Sequence, residues 1–173
     1  MKTTRYLLTI KAEERPGLLH LVTGVLNRKL IPIVSLSAAP TDIHDVVLIT
    51  MEVQASEKAL QPLLYKLKNI VEVFAVDAIP YDDALSLRAA YFKMAKSFLE
   101  SPKLSVLQKY GAVIVQAYPD AILIAKYGSD LAIRALYNDL DGPHLLGFSQ
   151  TGLITETKLI AHEDIERIIK LAA

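Results

Sequence analysis

Side chains that could do metal or nucleophilic chemistry are scattered along this 173-residue chain. Its histidines are His20, His44, His144 and His162, and none lies four residues from another, the helical spacing that brings two ligands to one ion. The chain has no cysteine, which excludes thiol nucleophiles, disulfide frameworks and Cys-ligated metals. We therefore predict structural or surface histidines and no metal site.

Carboxylates and glycines give no catalytic pattern either. Glu13-Glu14 and Asp82-Asp83 are adjacent pairs, and neighbours in sequence rarely converge on one substrate atom, so capping or solvated carboxylates are the better interpretation. The seven glycines are dispersed, and no glycine-rich phosphate loop follows a strand. The sequence predicts no catalytic residues and no cofactor.

One segment, residues 13–19, invites a small ligand. It joins a predicted strand to a predicted helix, so the backbone N–H groups of Gly17 and Leu18 should be unpaired, with the positive end of the helix dipole behind them. A carboxylate would be favoured there, and Glu14 could meet an ammonium group. The alternative is that Pro16 and Gly17 merely start a helix.

The first half of the chain supplies the elements around that segment. Strands are predicted from alternation and β-branched runs over residues 6–12, 33–39, 46–53 and 71–76. Two helices are predicted from the spacing of Leu18, Leu21, Val22 and Val25, and of Leu60, Leu63, Leu64 and Leu67. Ser56 should cap the second helix, and Pro62 should delay its start or kink it. The order is βαββαβ.

The second half repeats this order. Strands are predicted over 87–94, 112–118, 121–127 and 145–148, with a helix from Ser101-Pro102 to Tyr110-Gly111 and another capped by Asp130. We predict an α+β protein with domains at 1–80 and 84–155, and an amphipathic tail helix over 156–173. Each unit should be a four-stranded antiparallel sheet with both helices on one face, which leaves the other face apolar and uncovered.

Charge and composition limit the partners. Nineteen basic residues balance nineteen acidic ones, so neither nucleic acid nor an anionic membrane is expected. RNA binding would also need aromatic residues on central strands with basic flanks, and residues 46–53 contain no aromatic residue. No apolar run approaches the roughly 18 residues of a membrane span, so we expect a cytoplasmic protein. With 52% hydrophobic residues, the uncovered sheet faces predict a homodimer or higher oligomer.

Three stretches of the first half resemble a known family in order and without gaps: RPGLL at 15–19, VTGVL at 22–26 and IVSLSAAPTD at 33–42. They are similar to the ACT domain of the small regulatory subunits of acetolactate synthase, also called acetohydroxyacid synthase. The second half resembles that family's C-terminal domain through YGAVIV at 110–115 and QTG at 150–152. The resemblance covers residues 4–155.

The resemblance implies two tandem ferredoxin-like units, an ACT domain and an ACT-like domain. It implies a subunit without an active site that dimerises and binds the acetolactate synthase catalytic subunit. That subunit would be activated and made sensitive to a branched-chain amino acid, typically valine. Thiamine diphosphate, FAD and magnesium would belong to the catalytic partner.

The resemblance also implies an effector site for valine or leucine, in which the loop and helix start face the beginning of the second strand across a dimer interface. Its residues would be Glu14, Arg15, Pro16, Gly17, Leu18, Leu19, Pro32 and Ile33. Gly17 matches the family's ligand-loop glycine. Glu14 and Pro32 stand where the family usually has asparagines, and Val34 replaces a common glutamate.

Two other classes of function stay open. One is a stand-alone amino-acid-binding ACT regulator of another partner, and the other is a small enzyme on a ferredoxin-like fold. A catalytic subunit encoded nearby would favour the regulatory subunit over the stand-alone sensor. The missing catalytic cluster argues against the enzyme.

Overall fold

The computed structural model describes residues 3–155, which form two compact units, each treated by itself. The first comprises the residues up to Leu85 together with the described residues from Leu153 onward, and the second comprises Ser86–Gly152. The tail helix predicted over 156–173 lies outside the described residues.

The first unit has the predicted βαββαβ order. Its elements are β1 (Thr4–Glu13), α1 (Leu18–Arg28), β2 (Ile33–Pro40), β3 (Val46–Ala55), α2 (Glu57–Lys68) and β4 (Val73–Pro80). All neighbouring strands are antiparallel, in the spatial order β2-β3-β1-β4. The core lies between the sheet and the two helices, where Ile10, Ile49, Leu26 and Leu63 are fully buried.

Three details of this unit differ from the sequence-based expectation. Leu21 was expected in the core, but it is 44% exposed, and the inward face of α1 carries Leu26 instead. The delayed start of α2 was wrong, because the helix begins at Glu57 and includes Pro62 in its interior. The last strand begins at Val73, two residues later than predicted.

The second unit repeats the topology. After a short 3₁₀ turn at Tyr81–Asp83, the elements are β5 (Ser86–Ala95), α3 (Ser105–Tyr110), β6 (Val113–Ala117), β7 (Ala121–Gly128), α4 (Asp130–Leu140) and β8 (Leu145–Gln150). Two 3₁₀ segments, Lys96–Glu100 and Pro102–Leu104, precede α3, and a short strand β9 (Ile154–Thr155) follows Gly152. The strand order β6-β7-β5-β8 matches that of the first sheet, so the tandem α+β fold is confirmed.

Helix ends in the second unit are set by short polar side chains and one glycine. The Ser101 hydroxyl accepts a hydrogen bond from the Lys103 N–H, and Gly111 ends α3 in the left-handed conformation at φ 60°. The predicted cap of α4 is off by one residue: Ser129 accepts from the Ala132 N–H, and Asp130 occupies the first turn. In the first turn, the Asp130 carboxylate interacts favourably with the positive end of the helix dipole. It also forms ion pairs with Arg88 and Arg134.

The outward sheet faces, opposite the helices, differ between the units. We expected both to be apolar and uncovered. In the first unit this face carries Thr9, Thr50 and Glu52, and all three are buried. In the second unit Tyr91 occupies the position of Thr9 and is 51% exposed, against 5% for Thr9. The expectation of an uncovered face therefore holds only for the second sheet.

Candidate functional site

A cavity of about 270 Å³ lies where β1 leads into α1. Its lining residues are Glu14, Arg15, Gly17, Leu18, Leu19, Ala38, Ala39, Pro40, Val47 and Ile49. The wall opposite the loop is the β2–β3 hairpin, in which Ala38 pairs with Ile49 and Pro40 pairs with Val47. This places small side chains at the open edge and buried branched ones at the floor, so the cavity has an apolar bottom.

Backbone N–H groups at the start of α1 define the polar wall. The Leu18 N–H donates to the Arg15 carbonyl at 3.2 Å, so its predicted availability is wrong. Within residues 3–155, the N–H groups of Gly17, Leu19 and His20 meet no acceptor. Three donors at a helix start, with the dipole behind them, favour an anionic group.

Position 17 needs a glycine because of its backbone conformation, and not because a side chain would lack room there. It has φ 89° and ψ −10°, a left-handed conformation that costs little only for glycine. A Cβ built on it meets no atom within 4 Å. This turn lets the chain leave β1 and enter α1 with its N–H groups exposed.

The charged side chains of the loop have different partners. The Arg15 guanidinium forms an ion pair with the Glu13 carboxylate at 2.7 Å. In the described part of the chain no hydrogen bond or ion pair holds the Glu14 side chain, which is exposed and lines the cavity. Glu14 is thus a carboxylate free to meet a cation at the cavity mouth.

The structure separates the predicted site residues into two groups. Glu14, Arg15, Gly17, Leu18 and Leu19 line one cavity, and Pro16 belongs to the same loop without lining it. Ile33 begins β2 and Pro32 precedes it, whereas Pro40 ends the same strand. At the rise of an extended strand, Ile33 and Pro40 are about 23 Å apart. Within one chain the two groups do not meet, so a site combining them needs a second copy.

Five lining residues were missed from the sequence: Ala38, Ala39, Pro40, Val47 and Ile49. They lie at least nineteen positions after Leu19, and only the register of the β2–β3 hairpin brings them to the loop. The available signal was the break after residue 39, which marks the end of β2 beside the helix start.

Residues 3–155 contain neither a metal-ligating cluster nor a membrane-spanning helix. There, no group of three or more His, Cys, Asp or Glu side chains is arranged to hold a metal ion. Across the same residues, no helix is long and apolar enough to span a membrane.

Both units have the ferredoxin-like βαββαβ topology, and the cavity lies at the first strand–helix junction of the first unit. More particularly, residues 8–75 match the family described as the AHAS small subunit-like ACT domain. The resemblance to the acetolactate synthase small subunits is thereby confirmed.

Relatives of known name extend the match beyond that domain. The chain is 24% identical over 142 residues to the acetolactate synthase small subunit of Mycobacterium avium, covering 82% of this chain and 85% of the relative. It is 20% identical over 157 residues to that of Mycolicibacterium smegmatis, covering 90% and 92%. The crystal structure of the Thermotoga maritima small subunit superposes with a TM-score of 0.79 at 16% identity, covering 87% of this chain and 95% of that one. The last comparison shows the shared fold.

Proposed function

We propose that this chain is the regulatory small subunit of an acetolactate synthase, without an active site of its own. It binds the catalytic subunit in the cytoplasm, raises its turnover and makes it sensitive to a branched-chain amino acid. The effector-binding domain is residues 1–80, and residues 84–155 form the second domain. The observation that carries the proposal is the cavity at the β1–α1 junction, inside the segment that matches the AHAS small subunit-like ACT domain.

The cavity chemistry suits a free α-amino acid with an aliphatic side chain. The N–H groups of Gly17 and Leu19 would hold the effector carboxylate, and Glu14 would hold the ammonium group. Val47 and Ile49 supply an apolar floor for the side chain. A second copy would add Pro32 and Ile33, completing a site at a homodimer interface.

The proposal is tested with the catalytic subunit of the same organism. Acetolactate formation from pyruvate is measured for the catalytic subunit alone, for this chain alone and for the mixture, each with and without valine or leucine. We expect no activity from this chain alone, a higher rate for the mixture and a decrease on adding the amino acid. The variant Glu100→Gln, which changes an exposed carboxylate of the second unit, is the matched control and should behave as wild type.

Two results would contradict the proposal in different ways. Equal rates with and without this chain would favour a stand-alone amino-acid-binding regulator of another partner. A raised rate without any response to valine or leucine would keep the partnership and reject the effector.

A further inference from the structure

The outward face of the second sheet carries exposed tyrosines on its two central strands. Tyr91 lies on β5 and is 51% exposed, and Tyr127 lies on β7 and is 76% exposed. The register pairs Tyr91 with Ala125 and Tyr127 with Ala89. We call the surface formed by these four residues the tyrosine face.

The tyrosine face alternates between raised and recessed positions. Its four residues form a square, with the two rings on one diagonal and the two alanines on the other. A cavity of about 300 Å³ opens there, and all four residues belong to its lining. The rings therefore stand above the sheet, and the alanines leave recesses between them.

The outward side of this sheet carries almost no charge. None of the strands β5, β6, β7 and β8 contains an aspartate or a glutamate. Lys126 and Gln150 both pair with the buried Ala90, so they lie on the helix side of the sheet. Among the residues of these four strands, Lys93, which pairs with Leu123, is the one charged residue at an outward position. Such a face fits an uncharged apolar surface better than an anionic ligand.

The relief of the tyrosine face is complementary to itself. Consider a second copy related by a two-fold axis that lies between the two sheets and runs perpendicular to the strands. If the axis passes between the row of Ala89 and Tyr127 and the row of Tyr91 and Ala125, every ring meets an alanine. Tyr91 then lies over Ala89 of the second copy, and Tyr127 lies over its Ala125. Two sheets packed in this way form an isologous contact about 10 Å thick.

The same arrangement keeps the lysines apart. Lys93 would face Leu87 of the second copy, so the two Lys93 side chains would start about 20 Å from each other, beyond the screening length of about 8 Å. Leu87 is 42% exposed and offers apolar surface to the aliphatic part of the lysine. A two-fold axis parallel to the strands would also place rings over alanines, but it would bring the two lysines side by side.

The size of the sheet face sets the strength of such a contact. Four strands and seven residues of length give roughly 19 by 23 Å, or about 440 Å² in projection. A standard interface takes about 800 Å² of accessible surface from each partner, and weak ones take less than about 600 Å². The face therefore matches a weak interface, formed at high concentration or between chains that are already paired through another surface.

We propose that the second sheet packs face to face against the second sheet of another copy of this chain, with the two tyrosine faces interlocked. This contact lies in the second unit and is separate from self-association through α1 and β2 of the first unit. It depends neither on the amino-acid cavity nor on the catalytic subunit. A chain with both surfaces assembles beyond a dimer at high concentration.

The experiment is sedimentation equilibrium of the full chain in a Leu21→Glu background, which suppresses association through the first unit. We expect a monomer–dimer equilibrium between micromolar and near-millimolar concentrations. Ala125→Glu should raise the dimer dissociation constant by about tenfold or more, because it places a carboxylate under the Tyr127 ring of the second copy. Leu131→Glu makes the same charge change at an 80% exposed position of α4 and should leave the constant unchanged.

A mixing experiment tests the two-fold geometry itself. Tyr127→Lys and Ala125→Glu should each associate poorly alone, whereas their mixture should associate more tightly than either, because the new lysine of one copy faces the new glutamate of the other. A mixture of Ala125→Glu with Leu131→Lys is the matched control and should gain nothing. Circular dichroism of every variant checks that the fold is kept.

Four outcomes would overturn the proposal. It is wrong if the Leu21→Glu chain is monomeric at every concentration, or if Ala125→Glu associates as tightly as Leu131→Glu. It is wrong if the mixture of Tyr127→Lys and Ala125→Glu associates no better than its components. It is also wrong if these substitutions weaken binding to the catalytic subunit and leave self-association unchanged, because the face would then belong to that partner.

Discussion

The guanidinium of Arg15, in the loop before α1, lies 2.7 Å from the carboxylate of Glu13, the last residue of β1. Because this pair satisfies both partners, the adjacent Glu14 carboxylate is left to meet a ligand at the cavity mouth. An amino-acid effector would arrive with its ammonium group at that carboxylate.

Neutralising Glu14 should weaken effector binding. We expect Glu14→Gln to raise the Kd for valine or leucine by about tenfold or more, because a hydrogen bond to a charged group contributes about 1.5–3 kcal/mol. Calorimetry measures this, with Glu100→Gln as the control. An unchanged Kd would show that the ammonium group does not lie beside Glu14.

Restoring an amide at position 32 should strengthen the same binding. Proline has no backbone donor and no side-chain amide, so Pro32→Asn should lower the Kd by roughly three- to thirtyfold, the effect of one hydrogen bond. Gly17→Asp should raise it, because it places a negative charge beside the N–H groups meant for the effector carboxylate. If the asparagine variant binds no better and the aspartate variant no worse, the effector site lies elsewhere.

A charge on the outer side of α1 should disrupt self-association. Leu21 is 44% exposed on α1, and Val34 is 51% exposed on the edge strand β2, so the first unit offers apolar surface for a second copy. We expect wild type to be at least a dimer by light scattering and Leu21→Glu to shift it toward monomer. Leu131→Glu, at an 80% exposed leucine of the second unit, is the control. A wild-type monomer across micromolar concentrations would contradict the prediction.

Removing Arg5 from its ion pair with the fully buried Glu52 should be strongly destabilising, because the buried carboxylate would be left poorly compensated. Arg5 also lies 3.9 Å from the centre of the Tyr81 ring. Arg5→Leu should lower the free energy of unfolding by about 3 kcal/mol, because it weakens the compensation of a buried charge. Arg134→Leu breaks a pair whose arginine is mostly exposed and should cost less than about 1 kcal/mol. Urea unfolding compares the two variants, and equal losses would contradict the difference in burial.

Stability at acid pH should depend on Asp139. Its carboxylate accepts hydrogen bonds from the Lys109 ammonium and the Tyr110 hydroxyl, both at 2.9 Å, and these lower its pKa. A lowered pKa in the folded state gives stability that is present above the unfolded value near 4 and is lost as pH falls through the folded value. Asp139→Asn should therefore flatten the dependence of Tm on pH below about 4. Asp120→Asn is the control, and a Tm profile identical to wild type would reject the role of Asp139.

The sequence by itself determined the repeated order of elements. Alternation in 6–12 indicates a two-residue period, and the spacing of Leu60, Leu63 and Leu67 indicates a helical one. Each pattern therefore predicts the backbone geometry that can bury its apolar side. The left-handed turn at Gly17 and the glycine end of α3 follow from local chemistry in the same way. The loop residues of the candidate site were therefore accessible without a structure.

Only the tertiary structure decided what lies opposite those loop residues. Val47 and Ile49 reach the cavity because the β2–β3 register pairs them with Pro40 and Ala38, and register depends on packing of the whole sheet. Capture of the Leu18 N–H by the Arg15 carbonyl likewise depends on the turn that the folded chain adopts.

Local sequence patterns also could not predict whether the two outward sheet faces are buried or exposed. Thr9 and Tyr91 occupy equivalent positions of equivalent strands, yet the threonine is buried and the tyrosine is exposed. An alternating pattern predicts that a side chain points away from the helices, but it does not predict whether anything else covers that side of the sheet. Burial is a property of the surroundings in space, which is why the exposed tyrosines of the second sheet became visible only in the folded molecule.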